Sequence, residues 1–259
     1  MSNGLRTPKG PASPPYAHGP YEWNQICVTQ KPSVDSYKRV TFEENFQRKP
    51  AVNADIQNSA ESTRMIANPD FEVLGTGSST DDVTFGTTIG GILLTTDSSA
   101  SQQVIIAPHL DTNQTAWTSN LWGTENQVIW EAVVRTGASV ASIILWAGLK
   151  QTNDQDITTD DDQAFFRFDT NVANWEAVYS IGGTDTEVDT QVTVSANTNY
   201  YFRIEIDKDR KAHFFIDNKE VARSTALTDD EDLIPYVGVE GNAKTFILIK
   251  EKISRIIYE

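Results

Sequence analysis

The strongest constraint on the fold is a pair of alternating strands and a tight turn within residues 200–222, YYFRIEIDKDRKAHFFIDNKEVA. The first strand alternates apolar and charged side chains, and its apolar members are Phe202, Ile204 and Ile206. The second strand repeats the alternation in Ala212, Phe214 and Ile216. Asp217 and Asn218 follow, and both residue types tolerate the left-handed backbone of a two-residue hairpin. The stretch therefore predicts an antiparallel sheet with one buried and one wet face.

The chain from Phe71 onward continues in this way. Short runs of strand-forming residues alternate with turns rich in Gly, Asn, Asp, Ser and Thr, and no long helical period intervenes. About a dozen strands are predicted between Phe71 and Tyr258. The expected fold class is all-β, a β-sandwich of the jelly-roll type over residues 71–259.

Residues 1–70 have a different composition. All but two of the ten prolines lie at or before Pro69, and proline removes a backbone donor and favours extended neighbours. A disordered spacer has little reason to carry aromatic residues. This segment nevertheless holds Tyr16, Tyr21, Trp23, Tyr37, Phe42 and Phe46. We therefore predict an extended arm over residues 1–70 that lies along a neighbouring subunit and is anchored by these aromatic side chains.

Charge and cysteine content narrow the classes of partner. The net charge of -15 belongs to residues 71–259, since acidic and basic residues nearly balance in residues 1–70. An acidic surface repels phosphates and anionic headgroups, so neither nucleic acid nor a membrane is an expected partner. The single cysteine, Cys27, excludes an intrachain disulfide framework. The N-terminal sequence has no apolar stretch typical of a secretory signal, so synthesis in a cytosol is expected.

Four segments in a fixed order carry a resemblance to a known fold family. They are VIWEAVVRTG at 128–137, IILWAGLKQ at 143–151, AFFRFD at 164–169 and the hairpin at 200–222. Together they resemble the concanavalin-A-like jelly roll, also called the laminin-G-like sandwich, of the kind found in phage and marine-virus structural proteins. The resemblance covers roughly residues 85–259 and implies glycan binding, glycan hydrolysis or a structural role in a particle.

Catalytic groups are scarce in the sequence. Hydrolases of the family that the chain resembles carry Glu-x-Asp-x-x-Glu along one strand, which supplies a nucleophile and an acid. The nearest match starts at Glu205 and Asp207, but Arg210 takes the third position. A solvated strand face explains both carboxylates. The histidines, His18, His109 and His213, stand in no nucleophile motif. We predict no catalytic residue and expect the chain not to be an enzyme.

An acidic loop offers oxygen ligands for a hard cation. Asp154, Asp156 and Asp160 crowd this loop and are the candidate calcium ligands. Their spacing departs from the Asp-x-Asp-x-Asp-Gly pattern, and a simply hydrated run of carboxylates is the alternative. Calcium is the only cofactor that the sequence suggests.

Flat aromatic side chains beside amides and carboxylates are typical of sugar-binding sites. Trp117 and Trp122, in QTAWTSNLWGTEN, have such neighbours and are the candidate glycan platforms. For Trp122, as for Trp130, Trp146 and Trp175, the alternative is packing in the core between the sheets.

The arm favours a structural function over catalysis. We predict a non-enzymatic capsid decoration or cement protein of a tailed phage, located in the virion. The arm would anchor on capsid or other virion proteins, the acidic jelly roll would face outward, and a homo-oligomer would multiply weak contacts. The alternative is a carbohydrate-binding adhesion module, on a tail fibre or in a lectin, that engages host surface glycans through Trp117 and Trp122. A glycan hydrolase is the third hypothesis.

Overall fold

The computed structural model describes residues 39–47, 52–54, 71–86, 90–99, 101–108, 122–151 and 159–256. Within these residues two eight-stranded sheets pack face to face. All strand pairs but one are antiparallel, the exception being the short pair at residues 52–54 and 71–73. The predicted all-β sandwich is confirmed.

Sheet A contains β1 (Arg39–Glu44), β4 (Val83–Phe85), β5 (Ile92–Thr95), β7 (Ile129–Thr136), β12 (Asn199–Ile206), β13 (Lys211–Ile216), β14 (Lys219–Ala226) and β16 (Thr245–Ile256). Its strand order is β14-β13-β12-β7-β16-β5-β4, and β1 also pairs with β16. Sheet B contains β2 (Val52–Ala54), β3 (Phe71–Leu74), β6 (Gln103–Pro108), β8 (Ile143–Lys150), β9 (Gln163–Asp169), β10 (Asn174–Ile181), β11 (Thr184–Thr193) and β15 (Ile234–Gly241). Its order is β11-β10-β9-β8-β15-β6-β3-β2.

One hydrophobic core fills the space between the sheets. Phe166 of sheet B stacks on Phe202 of sheet A, with ring centroids 4.4 Å apart. Trp175 meets the same Phe202 edge-on at 4.9 Å. Such aromatic pairs contribute about 0.5–1.5 kcal/mol beyond their buried area. These rings hold the two sheets in a fixed relation.

The hairpin that dominates the sequence has the predicted geometry. β12 and β13 bury alternate residues, and Phe202 lies opposite Ile216 across the pair. Asp217 and Asn218, between β13 and β14, have φ angles of 50° and 67°. A two-residue turn with both φ values positive matches the right-handed twist of the flanking strands.

β1 belongs to the sandwich, which corrects the prediction that all of residues 1–70 form an arm. β5 pairs with the first part of β16, and β1 pairs with its last part, where Phe42 lies opposite Ile253. Arg39 Nη2 donates to the carbonyl oxygen of Gln127 at 2.6 Å, and Lys250 forms an ion pair with Glu43 at 2.9 Å. β1 thus extends sheet A beyond the end of β5.

Two of the aromatic residues predicted to anchor the arm, Phe42 and Phe46, are core residues of the sandwich. Phe42 is 2% exposed and Phe46 is fully buried. Phe42 meets Trp122 edge-on at 5.7 Å, and the rings of Phe46 and Phe71 lie 5.3 Å apart. Because both side chains complete their own domain, the prediction that Phe42 and Phe46 anchor on a neighbouring subunit is wrong. The other predicted anchors lie outside the described residues, and they are Tyr16, Tyr21, Trp23 and Tyr37.

Helical structure is minor in the described residues. Two 3-10 turns occur at Thr80–Asp82 and Thr124–Asn126. Among the residues that the structure describes, no helix has the length and apolarity needed to cross a bilayer.

Candidate functional site

The outer face of sheet B carries a second apolar cluster. Along β8, β9 and β15, side chains of the core between the sheets alternate with side chains of this cluster, so the cluster lies on the opposite face of the sheet. Its members are Leu74, Ile105, Ala107, Trp146, Phe165, Val178 and Tyr236. The outer face of an antiparallel sandwich is usually polar. Every member of the cluster is at most 7% exposed, so it forms a second buried cluster and not an open apolar patch.

Trp146 lies flat against the sheet because its neighbour has no side chain. Gly238 of β15 is opposite Trp146 of β8, and a Cβ atom at Gly238 would lie 2.6 Å from indole Cε2 and Nε1. Indole Nε1 is buried and has no hydrogen-bond acceptor among the described residues. A buried N–H usually has a partner, so this donor is one of the exceptions among the described residues. Because Trp146 is only 1% exposed, its indole has no free face for a ligand.

Charged side chains flank the indole on both sides. Arg167 is opposite Trp146 in the pairing of β8 with β9. Its Nη2 donates to Glu176 Oε2 at 2.9 Å and to Glu187 Oε2 at 2.8 Å. The side chains of these three residues are 19%, 12% and 38% exposed.

Glu240 lies on the other side of the indole, two residues after Gly238 on β15. Gln103 Nε2 donates to Glu240 Oε2 at 3.0 Å. We call Trp146, Arg167, Glu176, Glu187 and Glu240 the outer-face site. It combines a planar cation and several carboxylates around a buried indole.

A buried polar row borders the apolar cluster. Gln163 Nε2 donates to Ser180 Oγ at 2.5 Å, and Ser180 Oγ donates to Asp185 Oδ1. Lys150, fully buried, forms an ion pair with Asp160 at 3.6 Å. Its Nζ also lies 5.2 Å from the ring centroid of Phe165, a cation–π contact. These contacts fix the end of β8 and β9 next to the cluster.

The structure changes the interpretation of the candidate calcium ligands. Asp160 is 2% exposed, and its carboxylate faces the Lys150 ammonium. Because a cation of the chain itself already occupies this position, Asp160 is not an open calcium ligand. Asp154 and Asp156 lie outside the described residues. In the described part of the chain, no three His, Cys, Asp or Glu side chains are grouped to hold a metal ion.

The candidate glycan platform at Trp122 is also corrected. Trp122 is 2% exposed and belongs to the core between the sheets, where it contacts Phe42. A ring in this position has no free face for a sugar. Core packing is thus the right interpretation for Trp122, Trp130 and Trp175. Trp117 lies outside the described residues.

The carboxylates nearest to the hydrolase pattern lie on the other sheet. Glu205 is on the outer face of sheet A, 3.0 Å from Arg203 Nη1. Asp207 Oδ1 accepts from the backbone N–H groups of Asp209 and Lys211, at 2.8 and 2.9 Å. Burial tends to raise the pKa of Asp207, but the hydrogen bonds from the Lys211 backbone and the His213 ring outweigh it and lower the pKa. A strand-face role for Glu205 and a turn-stabilising role for Asp207 account for both.

Sequence reasoning placed Trp146 in the core between the sheets, whereas it packs in the second buried cluster, on the outer face of sheet B. The sequence does contain a signal for its position. β8 reads IILWAGLK and β15 reads IPYVGVEG, so both strands are apolar at consecutive positions instead of alternating. A strand of this kind is apolar on both faces. Had that pattern been applied to β8, an apolar outer face would have been predicted.

Comparison with known proteins supports the fold. No protein-family model and no curated protein matches the chain. A protein of unknown function from Shewanella oneidensis MR-1 aligns with a TM-score of 0.55 over 96% of this chain and 97% of its own, at 11% identity. The β-glucanase of Bacillus licheniformis aligns with a TM-score of 0.51 over 85% of this chain and 98% of its own, at 12% identity.

The carbohydrate recognition domain of Emp47p aligns with a TM-score of 0.52 over 86% of this chain and 99% of its own, at 11% identity. These similarities show that the chain has the concanavalin-A-like jelly-roll fold. At such low identity they show the fold alone.

Proposed function

We propose that this protein binds carbohydrate on the outer face of sheet B, at the outer-face site. The observation that carries the proposal is the Arg167 guanidinium, which lies beside the partly exposed carboxylates of Glu176 and Glu187. The β-glucanase and the Emp47p recognition domain, which share the fold, are carbohydrate-directed by their names. Both facts support carbohydrate over other small ligands.

The chemistry of a sugar matches this surface. A pyranose ring has an apolar face of C–H groups and an equatorial rim of hydroxyl groups. Apolar side chains pack against the first, and charged planar groups such as guanidinium and carboxylate form paired hydrogen bonds with the second. In the outer-face site, Arg167 and Glu240 lie on opposite sides of Trp146. A short oligosaccharide that crosses β9, β8 and β15 would contact Arg167 and Glu240.

Glycan-array screening followed by isothermal titration calorimetry tests the proposal. Arg167→Ala is expected to weaken binding of any glycan that the array identifies by about tenfold or more, because a hydrogen bond to a charged group contributes about 1.5–3 kcal/mol. Arg203→Ala is the matched control. Arg203 also forms an ion pair with a strand carboxylate, Glu205 at 3.0 Å, but on the outer face of sheet A. Equal losses in both variants, or no binding of any glycan by the folded protein, would contradict the proposal.

Attachment to a virion stays a separate prediction. Two of its predicted anchors, Phe42 and Phe46, pack in their own core, so it now depends on the segment before β1. Carbohydrate binding has the stronger support because solved structures with the same fold are carbohydrate-directed by their names. The two functions are compatible, since a protein that attaches to a particle can also bind glycans.

A further inference from the structure

Strand β1 is held in sheet A by one neighbour. It pairs with the last part of β16 and with no second strand among those that the structure describes. β1 contributes Phe42 to the core between the sheets, and Phe46 follows directly after the strand. A strand with one neighbour can leave a sheet without breaking any other strand pair. β1 can therefore open while the rest of sheet A stays paired.

The part of β16 beside β1 carries a carboxyl group that points into the core. Glu251 is 1% exposed and lies opposite Ala132 of β7, whose side chain belongs to the core. Its Oε1 accepts a hydrogen bond from Trp130 Nε1 at 2.9 Å, and in the described part of the chain Oε2 has no hydrogen-bond partner. A carboxylate in such a place is poorly solvated, so the closed form of β1 favours the protonated carboxyl group.

The nearest lysines along the strand do not neutralise Glu251. Lys250 and Lys252 precede and follow it on β16, but their side chains are on the outer face of sheet A. There Lys250 pairs with Glu43 at 2.9 Å, and Lys252 pairs with Glu131. Both cations are therefore separated from the Glu251 carboxyl group by the sheet itself.

The strand on the other side of Glu251 adds a charge of the same sign. Glu44 of β1 is directly opposite Glu251 in the pairing of the two strands. Like charges directly opposite each other destabilise a strand pair. The side chains with which sheet B packs on this core are hydrophobic. Ionised Glu251 would thus meet apolar groups and a second carboxylate, and both disfavour its charge while β1 is closed.

The open form of β1 has the opposite preference. Without β1, the end of β16 becomes an edge of the sheet, and water reaches the Glu251 carboxyl group. In water a glutamate ionises near pH 4.3, roughly the model-peptide value, whereas burial raises the pKa of Glu251 to about 7 in the closed form. Between these two values opening releases a proton, so rising pH favours the open form. Above about pH 7 both forms are ionised and the effect is complete.

We propose that β1 is a pH-sensitive strap, closed over the core at acidic pH and opening more often as the pH rises to neutral, while the rest of the sandwich stays folded. Opening brings Glu251 into water and loosens the point at which the N-terminal segment joins the sandwich. The open form remains a minority because Phe42 and Phe46 leave the core with β1. The strap is independent of the carbohydrate site, which lies on sheet B.

Amide hydrogen exchange of the full chain at about pH 5, 6, 7 and 8, corrected for the intrinsic pH dependence of exchange, tests the proposal. One proton is released on opening, so the population of open β1 is expected to rise about tenfold per pH unit, about a hundredfold from pH 5 to pH 7, and then to level off. Amides of the β12–β13 hairpin are the internal reference. They should be better protected than those of β1 at every pH and more sensitive to urea, because their exchange needs a larger opening.

Two variants locate the group that controls the strap. Glu251→Gln keeps an oxygen acceptor for Trp130 and cannot ionise, so its β1 amides are expected to show the same protection at all four pH values. Glu205→Gln, on the outer face of sheet A, is the matched control and is expected to keep the hundredfold change of the wild type. The wild-type series remains a complete test if Glu251→Gln does not fold.

Three results would overturn the strap. Equal protection and equal urea sensitivity in β1 and in the β12–β13 hairpin would show that β1 opens only when the whole sandwich unfolds. Protection of β1 that does not change with pH in the wild type would show that Glu251 does not control it. The same pH-dependent decrease in Glu251→Gln as in the wild type would assign the effect to another group.

Discussion

Glu251 is a carboxyl group inside the core of the sandwich. It lies on β16, is 1% exposed, and its Oε1 accepts a hydrogen bond from Trp130 Nε1 at 2.9 Å, while Oε2 has no partner in the described residues. Burial raises the pKa of Glu251 to about 7, although the hydrogen bond from Trp130 acts in the opposite direction. In the unfolded chain a glutamate ionises near pH 4.3, roughly the model-peptide value. Between these values the folded protein holds a proton that the unfolded chain has lost.

Stability therefore decreases with rising pH because of this group. The unfolded state binds fewer protons above about pH 4.3, so the free energy of unfolding falls as pH rises and the loss is complete above about pH 7. Glu251→Gln keeps the acceptor for Trp130 and cannot ionise. We expect the wild type, but not the variant, to lose on the order of 3 kcal/mol over this interval from this group. Urea unfolding at the two pH values measures it, with Glu205→Gln as a control that keeps the wild-type slope. A parallel decrease in Glu251→Gln would contradict the assignment.

Gly238 and Trp146 form a steric pair that a double-mutant cycle can isolate. Gly238→Ala places a methyl group 2.6 Å from indole Cε2, so the indole must move. We expect a loss of about 1–3 kcal/mol in the wild-type background, the usual cost of overpacking. In a Trp146→Phe background the smaller ring leaves more room, and the same substitution should cost less than half as much. Equal costs in both backgrounds, measured by chemical denaturation, would show that the strain has another origin.

At the scale of elements, β1 is required for a complete core. A chain that starts at residue 38 keeps β1 with Phe42 and Phe46, whereas one that starts at residue 48 lacks all three. We expect the second chain to be less stable by more than about 3 kcal/mol, the cost of removing a single buried phenylalanine. Thermal unfolding of the two proteins measures the difference.

Phe42→Ala in the full-length chain is the companion variant. It leaves the backbone pairing of β1 possible and removes one ring from its contact with Trp122. A loss of about 3–5 kcal/mol is expected. Unchanged stability in both the shortened chain and Phe42→Ala would mean that β1 is dispensable for the sandwich.

The sequence predicts strands well where one face of the strand is exposed to solvent and the other is buried. β12 and β13 alternate, and their bounds and turn agree with expectation to within a residue or two. β1 was missed because prolines on both sides of it suggested an extended arm, while its partner, β16, lies at the far end of the chain. Local propensity contains no information on such a distant pairing.

The outer-face site could not be predicted from the sequence, for a related reason. Its five members lie on β8, β9, β10, β11 and β15, and only the order of strands in sheet B brings them together. Trp146 and Arg167, for example, are neighbours only through the register of β8 and β9. The predicted tryptophan platform failed at Trp122 because a tryptophan in a sequence of polar residues can still point into the core.

At the scale of the whole molecule, the excess of negative charge affects stability. The chain carries a net charge of -15. On β11 of sheet B, Asp185, Glu187 and Asp189 occupy alternate positions on one face and repel one another. Salt screens such repulsion, with a Debye length of about 30 Å at 0.01 M and about 8 Å at 0.15 M. We therefore expect the melting temperature to rise by a few degrees when sodium chloride is raised over roughly this range.

The comparison variant is Asp189→Asn, which removes one of these carboxylates and keeps an oxygen acceptor for Asn174 and Gln191. It should melt higher than the wild type at low salt, and the two should converge at high salt. A melting temperature that falls with salt in the wild type would indicate that ion pairs, such as those on sheet A, dominate instead.

The pairing of β1 with β16 can form only late in the synthesis of the chain. Arg39 and its partner Ser254 are 215 positions apart, so at about 5–20 residues per second a ribosome needs roughly 10–40 s to supply the second after the first. Throughout that interval β1 lacks its partner strand, and sheet A lacks the strand that joins its two halves. Sheet A therefore closes only after β16 has left the ribosome.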